Sequence, residues 1–128
     1  MKVSQPTAEQ KKWMGTVAAI GCIVTGSSAC QIHHVAGRAA KQNKVPIGHA
    51  YILPLHHINH SYIDQGVFGL EKLKMEAIER YDEADTIGVM RLHEFELYLF
   101  GKVLRRTRGN WPPFLDEQMI TAISGWHR

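Results

Sequence analysis

Six of the eight histidines lie between residues 33 and 60: the pair His33-His34, a single His49, and the run His56-His57-Ile58-Asn59-His60. Cys22 and Cys30 stand just upstream. Imidazole is the commonest metal ligand, and its ordinary pKa suits it to proton transfer near neutrality. A cluster with this spacing therefore points to a metal-assisted site. A divalent ion held by His33 and His60 would leave open positions for water and a phosphate oxygen, and His34 beside it could take a proton from that water. Such a set is equipped to hydrolyse a phosphodiester. His93 and His127 belong to no motif and read as exposed or hydrogen-bonded core residues.

The elements that must position these residues follow from periodicity and punctuation. Thr7 and Gln10 have capping-box spacing, and Trp13, Val17 and Ile20 share a face, which predicts a helix over 7–20 with Gly21 at its exit. Residues 21–31 form a small polar turn region that carries both cysteines. Gln31 to Val35 reads as a strand broken by Gly37, and Arg38 to Gly48 as a basic loop carrying Arg38, Lys41 and Lys44. Ala50 to Leu55 reads as a second strand, its Pro54 indicating an edge or an end. His56 to about Gln65 is a short helix. Gly66 and Gly69 loosen the chain before a helix near 70–82, built on Leu70, Leu73, Ala77, Ile78 and Tyr81. Thr86 to Arg106 predicts one long helix, with Asp85 as N-cap and Lys102, Arg105 and Arg106 at its C-terminal end. Trp111-Pro112-Pro113-Phe114 is a turn, and 116–124 a last short helix. Adjacent residues of a strand point to opposite faces, so His33 and His34 diverge unless the strand is ending there. His56 and His60, four apart on a helix, share a face.

A chain of 128 residues predicts one domain, with a core in about 20–66 and a helical part in about 70–128. Its 45% apolar content argues against disorder. No run of 18 apolar residues is present, which excludes a membrane-spanning helix, and the opening MKVSQPTAEQKKWMG lacks an apolar leader, so a cytoplasmic location is expected. Two cysteines do not make a disulfide framework; free thiols or metal ligands are the expectation. The net charge of +3 and pI near 9.0 permit nucleic-acid binding without requiring it. The apolar helix near 86–106 could serve a homodimer.

GCIVTGSSACQIHHVAG followed by YILPLHHINHS resembles the HNH, or ββα-metal, endonucleases, and is most similar to the phage recombination-enhancement nucleases, the Ref-like group that acts with the host recombinase. The resemblance rests on GCIV at 21–24, IHHV at 32–35 and LPLHxxxH at 53–60, and covers roughly residues 8–65. It implies an α+β fold: a small ββα-metal motif flanked by an N-terminal helix and C-terminal helices. It implies His33 and His60 as ligands of Mg²⁺ or another divalent metal, and His34 as the general base. The family also has a structural zinc held by two C-x-x-C-like pairs, which here read Cys22-x-x-Thr25 and His56-x-x-Asn59. Cys30 and His57 could substitute, giving a Zn²⁺ site on Cys22, Cys30, His56 and one more ligand; alternatively, apolar packing replaces the zinc. Tyr51 stands where the HNH pattern has an asparagine, so the catalytic histidine must be oriented from elsewhere, such as a backbone carbonyl or His49.

The function expected is a metal-dependent DNA endonuclease of HNH type, phage-encoded and linked to recombination, with Arg38, Lys41 and Lys44 holding the DNA backbone and a recombinase filament as a further partner. The alternative is a non-catalytic, zinc-stabilised nucleic-acid- or protein-binding adaptor.

Overall fold

The structure is a computed structural model and describes residues 5–35 and 47–125. It is α+β: one two-stranded antiparallel sheet set among helices. Helix α1 (Ala8–Ala18) starts at a capping box in which Thr7 and Gln10 satisfy each other's backbone N–H groups. It buries Trp13 and Val17, and the Trp13 indole donates to the Ala50 carbonyl at 3.1 Å, tying α1 to the turn before the second strand.

The sheet pairs β1 (Gln31–His34) with β2 (Ile52–Leu55), with His33 opposite Leu53 and His34 opposite Ile52. All four β2 residues are buried, whereas β1 is exposed or half-buried. Pro54 lacks an N–H, but its carbonyl accepts from Ile23 N at 2.9 Å. Helix α2 (His57–Tyr62) follows β2 at once, with the His56 ring as its N-cap, accepting from Ile58 N at 3.2 Å. A 3₁₀ turn over 63–65 leads into α3 (Gly66–Tyr81). The strand–strand–helix unit anticipated for residues 20–66 is therefore present.

Helix α3 begins four residues before its predicted start. Gly66 makes the turn at φ 62°, and Gly69, expected to loosen the chain, lies buried inside the helix. A Cβ at Gly69 would fall 1.9 Å from the Tyr62 carbonyl oxygen, so glycine lets α3 cross α2 closely.

The single helix predicted over Thr86–Arg106 is two: α4 (Ala84–Ile87) and α5 (Leu92–Arg106). Lys74 explains the break. Its buried ammonium takes the Gly88 and Met90 carbonyls at 2.9 and 3.0 Å, oxygens a continuous helix would keep. Arg91 then turns extended, and Glu94 accepts from its N–H at 2.8 Å to restart the helix. The N-cap of α4 is Glu83, with Asp85 inside its first turn. Helix α6 (Glu117–Gly125) closes the described chain.

Phe95, Leu99, Phe100 and Val103 of α5 pack with Trp13, Tyr51, Ile52, Leu53 and Leu73 in one core. Each such side chain contributes about 1.5–3 kcal/mol when fully buried. The apolar face of α5 packs against β2 of the chain's own sheet. Among the described residues no helix is long and apolar enough to cross a membrane.

Candidate active site

Strand alternation sorts the histidines. Gln31 and His33 leave β1 on one face, and both reach His60 of α2. His33 Nδ1 lies 3.2 Å from His60 Nε2, and Gln31 Oε1 lies 3.0 Å from His60 Nδ1. The two rings meet edge to face at 4.9 Å. The other nitrogen of His33, Nε2, lies 3.1 Å from Glu96 Oε2 on α5. His34, one residue on, is carried the other way: its Nε2 lies 3.2 Å from Nδ1 of the buried His49. The sequence reading gathers all three imidazoles at one ion; the structure joins His33 with His60 and sets His34 against His49.

A carboxylate and an amide oxygen only accept, so His33 carries its proton on Nε2 and His60 on Nδ1. With both rings neutral, the two nitrogens that face each other are both lone pairs. In that state neither nitrogen donates to the other; a proton on one ring or a metal ion between them would join the pair. Burial, then the neighbouring His33, hold the His60 imidazole below its ordinary value. Two nitrogens bound at about 2.1 Å to one ion stand roughly 3.0–3.4 Å apart for angles from square to tetrahedral. The separation of 3.2 Å fits that bite. The back of each ring rests on an acceptor, the arrangement that orients metal-bound imidazoles. Burial first, then the charges of His49 and His33, lower the His34 pKa, leaving that ring neutral near pH 7.

The residues expected to hold zinc are not brought together as a ligand set. The Cys22 thiol donates to Asn59 Oδ1 at 3.7 Å and its sulfur accepts from Thr25 N at 3.4 Å. The Cys30 thiol donates to the Ala18 carbonyl at 3.4 Å, and burial, then Cys22 nearby, pushes its pKa up. The ring of His56 caps α2, and His57 is exposed against it, with ring centroids 4.2 Å apart. Among the described residues no three His, Cys, Asp or Glu side chains converge as metal ligands. Hydrogen bonds hold this turn instead. Asn59 Nδ2 donates to Glu76 Oε1 at 2.7 Å, Arg80 to the Cys22 carbonyl at 2.8 Å, and the Tyr81 hydroxyl to the Ile23 carbonyl. The residues present do not fit a structural zinc.

Arg38, Lys41, Lys44 and His127 lie outside the described residues. Glu96 was missed by sequence reasoning. The available signal was a carboxylate three, four and seven residues before Leu99, Phe100 and Val103, inside the apolar stripe of α5.

Residues 6–84, which span α1, the sheet, α2 and α3, match the family described as recombination enhancement, RecA-dependent nuclease. The chain belongs to this family. The match covers more than half of the chain and includes His33, His34, His49 and His60; Glu96 lies beyond it. No curated protein and no solved structure matches the chain.

Proposed function

We propose that this chain is a metal-dependent DNA endonuclease of HNH type that cleaves phosphodiester bonds in a RecA-dependent, recombination-linked setting. The observation that carries the reading is the pair of imidazole nitrogens, His33 Nδ1 and His60 Nε2, facing each other at 3.2 Å, the separation of two ligands on one cation. A divalent cation there supplies Lewis-acid stabilisation of the charge that develops on the scissile phosphate. The protein supplies the rest. His33 and His60 would hold that cation, with Glu96 and Gln31 behind them. His34 is assigned the proton of the attacking water from its place in the family pattern, and its Nε2 is held by His49 at 3.2 Å. His49 thus orients the base in a chain that has Tyr51 where the HNH pattern has asparagine. Arg38, Lys41 and Lys44 are assigned to the DNA backbone from their charge and place in the sequence. Phosphate contacts carry affinity without sequence information, so weak sequence preference and steep salt dependence follow.

The test is cleavage of plasmid and single-stranded DNA with Mg²⁺ or Mn²⁺, with and without RecA filaments, by the wild type and His34→Ala. Cleavage lost in the variant while DNA binding persists supports the enzyme. Binding without cleavage by the wild type under every metal overturns it and favours a non-catalytic adaptor.

A further inference from the structure

Glu96 is a carboxylate in an apolar neighbourhood. It is 7% exposed, on the face of α5 that buries Phe95, Leu99 and Phe100. Burying a carboxylate costs several kcal/mol unless hydrogen bonds and an opposite charge compensate. Its contact with His33 is on the ring nitrogen turned away from His60, Nε2, at 3.1 Å. Burial, and then Glu96, push the Tyr51 phenol well up, so Tyr51 remains a neutral neighbour. A buried acceptor that meets only the rear nitrogen of a ring decides which nitrogen of that ring carries the proton.

We infer that Glu96 is the positioning residue of the site: it holds His33 in the Nε2–H tautomer, aims the Nδ1 lone pair at the point shared with His60, and places a negative charge one imidazole away from the cation. The inference rests on the proposed metal-binding role of His33 and His60. It gives α5 a function. The strand–strand–helix unit supplies both imidazoles, but the group that sets the proton on one of them comes from a helix outside that unit and beyond the matched residues 6–84. It also gives a reason for a charged side chain in the apolar stripe. A leucine there would fill the same space and leave His33 Nε2 without its acceptor.

The experiment uses the full chain with Mn²⁺ as probe. Binding is measured by calorimetry, and the imidazole ¹⁵N shifts of the metal-free protein report which nitrogen of His33 is protonated. Glu96→Gln keeps the shape but removes the charge, and its amide N–H₂ can face His33 and select the opposite tautomer. The expected result is a 10–100-fold weaker Mn²⁺ affinity, loss of a pure Nε2–H signal from His33, and a melting temperature within a few degrees of the wild type. Glu96→Asp is expected to recover part of the affinity. His33→Ala with Glu96→Gln is expected to bind no worse than His33→Ala alone, because Glu96 acts through that ring. Wild-type affinity and an unchanged His33 tautomer in Glu96→Gln overturn the inference while leaving the metal site standing. Failure of the wild type to bind Mn²⁺, or binding untouched by His33→Ala, overturns the proposed function and this inference with it.

Discussion

Replacing Asn59 with alanine tests whether hydrogen bonds, not zinc, hold the turn between Cys22 and α2. Asn59 is 2% exposed and bridges two elements: Nδ2 donates to Glu76 Oε1 at 2.7 Å, and Oδ1 accepts from the Cys22 thiol at 3.7 Å. A hydrogen bond to a charged acceptor contributes about 1.5–3 kcal/mol. The thiol is a weak donor and adds little. Alanine also leaves a void and strips a partner from Glu76, whereas its better helix propensity returns only a few tenths of a kcal/mol. The net loss is about 2–3 kcal/mol. A chain of 128 residues unfolds with an entropy of about 0.27 kcal/mol/K, so the melting temperature falls by roughly 7–11 °C. The assay is thermal unfolding by circular dichroism with and without EDTA, alongside metal analysis of the purified protein. The wild type is expected to carry no stoichiometric zinc at Cys22 and to keep its melting temperature in chelator. An unchanged midpoint for Asn59→Ala, or one equivalent of zinc lost with Cys22→Ser, would refute the reasoning.

Gly69→Ala runs against helix propensity, which alone would favour alanine by about 1 kcal/mol. The added Cβ meets the Tyr62 carbonyl at 1.9 Å, so α3 and α2 must separate at a cost of about 1–3 kcal/mol or more. Because α2 carries His60, both the unfolding midpoint and Mn²⁺ affinity should fall; a stabilised variant would contradict the packing. For pH, the Tyr98 and Lys102 hydrogen bonds hold the Glu83 carboxyl below its usual range. The unfolded chain therefore takes up that proton first on acidification. This contribution is complete above about pH 4.5 and disappears as pH falls through the lower folded value. Burial and the Glu83 bond hold the Tyr98 phenol up, so its contribution is complete below about pH 10 and is lost above it. Denaturant midpoints of wild type minus Tyr98→Phe should be flat between these limits and shrink outside them; a difference independent of pH would be the contrary result.

Much of the strand–strand–helix unit was legible in local chemistry. The Thr7/Gln10 cap, the Pro54 strand and the His56 helix start each depend on neighbours within a few residues, and the structure has all three. What sequence reasoning missed depends on distant partners. Nothing local to Thr86–Arg106 announces that Lys74 will take the carbonyls of Gly88 and Met90. Gly69 reads as a weak point until Tyr62 is laid across it. The same holds at the site. The spacing of His33 and His60 suggested that they meet, but alternation along β1 sends His34 to His49. Glu96, 63 residues from His33, is brought to it only by the packing of α5. The zinc reading counted ligand types; in the structure Cys22, Cys30 and His56 make local hydrogen bonds.

The central claim is that His33 and His60 share one cation. A crystal soaked in Mn²⁺ and measured for anomalous scattering tests it most directly. One strong peak is expected about 2.1–2.3 Å from both His33 Nδ1 and His60 Nε2, absent in His60→Ala. A peak among Cys22, Cys30 and His56 with none between the two facing nitrogens would contradict it.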